Sequence, residues 1–147
     1  MAGVLLDVNV LVALFLEDHS HHVAAQKWFR EHEKKGWATC PFTQAGFVRL
    51  LSNPVVVRNA VQPTEAIAVL DENTGTPHHE FWADDISYAK AIEPLRSKLS
   101  GHRQITDAYL LGLAMHRKGR LATFDRSVAS LLPEGKRKSD WIIELST

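Results

Sequence analysis

A single cysteine, Cys40, stands among the 147 residues, which excludes an intrachain disulfide and any zinc site built on several thiolates. An excess of one charge is lacking too. Lys and Arg total 17 against 17 Asp and Glu, so the net charge provides no general pull toward a polyanion. No hydrophobic run approaches the roughly 20 residues that span a bilayer. Neither Gly-x-Gly-x-x-Gly nor a Walker lysine occurs, which removes the familiar backbone cradles for nucleotide phosphates. The opening Met-Ala-Gly-Val-Leu-Leu-Asp has no basic residue ahead of its apolar stretch and meets a carboxylate at once, unlike a signal peptide. What is present is ordinary for a globular chain: 45% hydrophobic residues and 23% charged ones, at a length that suits one domain over 1–147. These features predict a soluble cytoplasmic protein with no membrane association.

The balanced total conceals a gradient. Residues 1–95 hold 7 basic and 12 acidic residues, whereas 96–138 hold 10 basic and 3 acidic ones. A basic carboxyl-terminal block can supply phosphate contacts, and solvated helix faces would have the same composition.

The order of elements is more informative. Residues 3–8 form a short continuous apolar run, as expected of a strand covered on both faces. Helical patterns follow over 9–16 and 20–35, then a short strand over 37–40 stopped by Pro41. Further helices are expected over 43–51 and from 63 to about 74, and a weak strand over 79–83. The stretch 84–100 reads as short helical turns broken by Pro94. The clearest helix runs from 104 to 118 with Gly119 as its C′ residue, followed by a strand over 120–124, a short helix over 126–132 and a strand over 141–145. Alternating strands and helices predict an α/β fold with helices on both faces of a mainly parallel sheet of about four to five strands.

Three aspartates fall at comparable junctions. Asp7 closes the first strand, Asp107 lies in the first turn of the long helix, and Asp125 directly follows the strand over 120–124. In an open parallel sheet, ligands bind beyond the carboxyl ends of the strands, where such residues converge. Each also has a plain reading: Asp7 and Asp125 as N-caps, and Asp107, with Thr106, as a complement to its helix dipole. A carboxylate that interrupts a buried apolar run is costly, and three together repel unless a cation joins them. Oxygen-only ligands point to Mg²⁺ or Mn²⁺.

The stretches around these residues are Leu-Leu-Asp7-Val-Asn9, Thr-Cys-Pro41-Phe-Thr-Gln44 through Arg49-Leu-Leu-Ser-Asn53-Pro, His102-Arg-Gln-Ile-Thr106-Asp107 and Ala-Thr123-Phe-Asp125. In this order, and over nearly the whole chain, they resemble PIN-domain ribonucleases, in particular the VapC-type toxins of bacterial toxin–antitoxin pairs. The resemblance implies a three-layer α/β/α sandwich and metal-dependent cleavage of RNA. It also implies a homodimer restrained by a VapB-like antitoxin that inserts a segment into the active-site groove. Under it, Asp7, Asp107 and Asp125 are metal-binding acids, while Asn9, Thr106 and Thr123 support them. Gln44 occupies a position where many members carry glutamate, so the site has one negative charge fewer. A catalytically silent binding module is the alternative function, and hydrolysis of another phosphoester a third. Arg103, Arg117 and Lys118 are candidates for holding RNA phosphates.

The remaining candidates have simpler readings. His19, His21 and His22 are expected to be solvated at a helix entry, as are His78 and His79. Cys40 is expected to be a buried inert thiol. Phe15 and Leu16 are expected to stay exposed until a partner covers them.

Overall fold

Leu5 and Leu6 are adjacent, apolar and fully buried, which is possible in a strand only when both faces of its sheet are covered. The computed structural model, which describes residues 3–146, places them in β1 (Val4–Leu6) at the centre of a five-stranded sheet. The other strands are β2 (Trp37–Thr39), β3 (His79–Phe81), β4 (Arg120–Thr123) and β5 (Ile142–Glu144), in the order β3-β2-β1-β4-β5. Every neighbouring pair is parallel.

The period-2 alternation of the strands divides the core into two layers. Leu5, Ala38, Leu121 and Ile142 join one apolar cluster, with α5 (Tyr88–Ala91), α6 (Ile105–His116) and the 3₁₀ segments Glu93–Lys98 and Arg126–Leu131. Leu6, Trp37 and Ala122 join the other, with α1 (Val8–Phe15), α2 (His22–His32), α3 (Pro41–Leu51) and α4 (Pro63–Thr74). A last short helix, α7 (Lys138–Trp141), leads into β5. The expected sandwich is therefore present, with an entirely parallel sheet. Cys40 is buried, and burial pushes its thiol pKa up.

Two local expectations need correction. The helix expected over 43–51 starts at Pro41, because proline lacks only an N–H that has no partner in a first turn anyway. The long helix ends one residue earlier than its glycine suggests. Lys118 takes the left-handed conformation at φ 57°, and the N–H of Gly119 reaches back to the Ala114 carbonyl at 2.8 Å. Gly119 is needed for closeness instead: a Cβ there would lie 2.4 Å from the Gly3 carbonyl oxygen and 2.8 Å from the Trp82 ring.

A tighter approach brings α6 against α5. A Cβ at Gly112 would lie 2.2 Å from the Ala91 carbonyl oxygen, and that backbone cannot rotate away. Gly112→Ala is therefore expected to cost about 1–3 kcal/mol, despite the better helix propensity of alanine. Thermal unfolding beside Gly75→Ala measures this; an equal melting temperature for the two variants would show that the α5–α6 approach is not limiting.

Candidate active site

The chain winds from β1 outward to β2 and β3, then returns to place β4 on the other side of β1. The crevice beyond the carboxyl ends of β1 and β4 is thus the switch point of the sheet. Asp7 follows β1 directly, and Asp125 lies two residues beyond β4. Asp107 is on the opening turn of α6, the helix that leads into β4.

Asp7 is only 6% exposed, and each of its oxygens has a donor. Oδ1 accepts from the Val8 backbone N–H at 2.7 Å, and Oδ2 accepts from the Thr123 hydroxyl at 2.8 Å. The same hydroxyl accepts from Asn9 Nδ2 at 3.1 Å and from the Asp125 backbone N–H at 3.0 Å. One donor and two acceptor sites are all that a hydroxyl has, so Thr123 is saturated. Asn9 completes the link through Oδ1, which accepts from the Phe124 backbone N–H at 3.2 Å. Asp125 accepts at Oδ1 from both the backbone N–H (2.9 Å) and the hydroxyl (2.6 Å) of Ser127. Its Oδ2 has no hydrogen-bond partner among the described residues.

The electrostatics agree with crowding. Burial raises the Asp7 pKa above the ordinary carboxylate value, against the Thr123 and Val8 hydrogen bonds that lower it, and Asp125 adds repulsion. Asp107 is pushed up to about 6, first by burial and then by Asp7 and Asp125. No ion pair among the described residues neutralises any of the three. Nor, among the described residues, do any three acidic, histidine or cysteine side chains stand close enough together to hold a metal ion between them as placed.

The other sequence candidates are spread more widely. Thr106 is exposed, and its hydroxyl makes no hydrogen bond among the described residues. Gln44, on α3, is tied by Nε2 to the Thr39 hydroxyl at 3.0 Å. Arg103 is exposed in the 3₁₀ turn His102–Gln104 that precedes α6. Arg117 lies at the opposite end of α6, about 15 Å along the axis from Asp107. Its guanidinium is committed there, donating to the Ala83 carbonyl at 3.0 Å, pairing with Asp85 at 3.4 Å and covering the Trp82 ring. Lys118 is exposed beside it. These two therefore do not join the carboxylates.

The histidines depart from expectation. His19, His21 and His22 are half-buried, because the α1–α2 turn folds them back onto the protein. The His21 ring stacks on Phe124 with centroids 4.3 Å apart, and His22 Nδ1 lies 2.7 Å from the Ala13 carbonyl oxygen. His79 likewise turns inward to Thr39. Ser127 and Thr39 were missed as site neighbours. The Asp-x-Ser spacing of 125 and 127 is the one signal that could have found the first.

A five-stranded parallel sheet with acids gathered at its switch point defines a class. The model of the PIN domain family matches residues 4–131, and the chain belongs to that family. Its relatives narrow the class. Ribonuclease VapC39 of Mycobacterium tuberculosis is 44% identical over 131 residues, covering 89% of this chain and 94% of that protein. Ribonuclease VapC38 of the same organism is 46% identical over 127 residues, covering 86% and 88%. Within the PIN domains this chain is of the VapC type. The fold is shared with VapBC2 from Rickettsia felis, at a TM-score of 0.65 with 12% identity over 97% of this chain and 98% of that one. It is shared also with FitAcB from Neisseria gonorrhoeae, at 0.60 with 18% identity over 87% and 92%.

The raised pKa of Asp107 has a stability consequence. Between about 3.8 and 6 the folded protein binds a proton that the unfolded chain has released, so stability falls as pH rises through that window. In chelator-treated protein, Asp107→Asn is expected to gain on the order of 1 kcal/mol at pH 7 after allowance for solvent screening. The gain should vanish below pH 4, where both chains are neutral at this position. Denaturant titrations at the two pH values measure it, and a gain that does not depend on pH would remove the electrostatic explanation.

Proposed function

We propose that this protein is a metal-dependent endoribonuclease toxin, restrained by a VapB-like antitoxin and working as the homodimer its family resemblance implies. The observation that carries this reading is the trio Asp7, Asp107 and Asp125. These acids repel one another at the sheet's switch point, in a chain 44% identical to a protein named as a ribonuclease. The donor set suits a hard divalent cation such as Mg²⁺ or Mn²⁺, being all oxygen, partly buried and unneutralised. Asp7, Asp107 and Asp125 would hold the ion. A divalent cation supplies positive charge for the phosphoryl oxygens and activates water for hydrolysis.

The chain's own part is positioning. Thr123 and Asn9 hold Asp7, and Ser127 fixes one oxygen of Asp125 and leaves the other open. Such pre-organisation spares reorganisation when the substrate arrives. Arg103, ahead of the helix that carries Asp107, is the candidate to hold an RNA phosphate.

The antitoxin reading has separate support. An open apolar groove of about 180 Å³ lies among α1, α2, α3 and α4, lined by Leu11, Leu14, Phe15, Phe29, Phe47 and Leu70. Phe15 is 38% exposed there, as a residue awaiting cover would be. The groove includes none of the three acids, so it is separate from the active-site groove that the resemblance implies, and a segment seated in it can be tested apart from catalysis. Among the described residues no helix is long and apolar enough to cross a membrane.

Purified protein freed of antitoxin is expected to cut total bacterial RNA into discrete products with Mg²⁺ or Mn²⁺, and not with EDTA. Asp7→Asn should abolish the products while still binding the antitoxin. Absence of cleavage by folded protein with either metal would overturn the nuclease reading. Arg103→Ala is expected to weaken RNA binding by the Asp7→Asn protein and to reduce its salt-dependence slope by about 0.7–0.9. An unchanged slope would remove Arg103 from the phosphate path.

A further inference from the structure

Three polar side chains around the carboxyl end of β2 form a relay of their own. Gln44 donates from Nε2 to the Thr39 hydroxyl at 3.0 Å, and that hydroxyl lies 2.8 Å from Nε2 of His79. Thr39 is fully buried, and His79 packs on Trp37 with ring centroids 4.7 Å apart. The relay stands close to the crevice. Thr39 ends β2, one strand across from β1, and β1 ends one residue before Asp7.

Counting protons fixes the direction of each bond. Gln44 Nε2 gives its proton to the Thr39 hydroxyl, so the hydroxyl's own proton is left for His79 Nε2, which makes that nitrogen the acceptor and assigns the imidazole proton to Nδ1. The Thr39 hydroxyl gives its one proton to that nitrogen and has only lone pairs left for Gln44. The amino group of Gln44 faces Thr39, and its Oε1 stays outside the relay. A reversed amide would set a carbonyl oxygen against a hydroxyl oxygen with no proton to share.

We propose that Thr39 and His79 are positioning residues for Gln44, locking its amide so that Oε1 is the atom it offers to the reaction. This inference rests on the nuclease reading and gives an uncharged side chain at position 44 a defined acceptor oxygen. Oε1 is an acceptor oxygen, as a carboxylate oxygen is, without the fourth negative charge. A glutamate would not fit the same relay. Its carboxylate has no proton to give Thr39, so the hydroxyl proton would turn toward residue 44 and His79 would have to donate from Nε2. Gln44 and the Nδ1-protonated His79 are thus a matched pair.

The test is ¹⁵N NMR of the His79 ring in the full chain near pH 8, for the wild type, Gln44→Glu, Thr39→Ser and Thr39→Val. The wild type and Thr39→Ser are expected to show a protonated Nδ1 and a bare Nε2, and Gln44→Glu is expected to move the proton onto Nε2. In RNA cleavage, Thr39→Val should lower kcat about tenfold with KM nearly unchanged, and Thr39→Ser should restore it. Circular dichroism melts confirm that each variant is folded. A wild-type His79 protonated on Nε2, or a Gln44→Glu variant with the wild-type tautomer, overturns the relay. Full activity in folded Thr39→Val overturns the positioning role. If the wild type cuts no RNA, the nuclease reading fails by itself, and the tautomer measurement still decides the relay.

Discussion

The Thr123 hydroxyl joins two strand ends that are 116 residues apart in sequence, by giving its proton to Asp7 while it receives hydrogen bonds from Asn9 and the Asp125 backbone. The parallel register of β1 and β4, Leu6 opposite Ala122, brings these groups level at the edge of the sheet. Removing the hydroxyl would leave a buried carboxylate short of a donor and two donors short of an acceptor, and such losses cost more than the net worth of a single hydrogen bond. The positions of Asp7 and Asp125 thus depend on one side chain, and that side chain depends on the sheet.

The sheet in turn bears the cost of the acids. Carboxylates that are partly buried and close together destabilise the folded protein at neutral pH, as the pKa of about 6 at Asp107 records. Two fully covered layers of apolar side chains offset that cost, with Leu5, Leu6, Leu111, Leu113 and Leu121 among the residues withdrawn from water. A natural chain retains such repulsion where function requires it, because stability alone would be better served by neutral residues at these positions.

Most of this architecture was legible in the sequence because its signals are local. Continuous apolar runs marked the strands, 3.6-residue spacing marked the helices, and three aspartates stood at strand or helix ends. Side-chain destinations were less legible. Arg117 looks like a free cation in the sequence, but the helix end that carries it meets Trp82, Ala83 and Asp85, which the fold brings there from more than thirty residues away along the chain. His79 looks solvated beside His78, yet strand alternation turns it toward Thr39 of the neighbouring strand. Thr106 borders Asp107 in sequence but remains exposed, because adjacent residues of a helix point about 100° apart. Lys118 took the left-handed position expected of glycine because Gly119 was needed where the Gly3 backbone and Trp82 leave no room for a side chain.

Capping and catalysis, which compete as explanations of Asp7 and Asp125 in the sequence, are one arrangement in the structure. Asp7 caps α1 through Oδ1, and Asp125 caps its 3₁₀ turn through Oδ1. In each case the cap consumes one oxygen and fixes the carboxylate plane, so the direction of the second oxygen is set by the backbone rather than by a free rotor. For Asp7 the second oxygen goes to Thr123, and for Asp125 it remains without a protein donor among the described residues. Asparagine caps a helix about as well as aspartate, because the accepting oxygen is retained. Asp125→Asn therefore keeps the cap and removes the charge, which separates the two roles, whereas Asp7→Asn also sets an amino group against either the Val8 N–H or the saturated Thr123 hydroxyl and so disturbs the network as well as the charge.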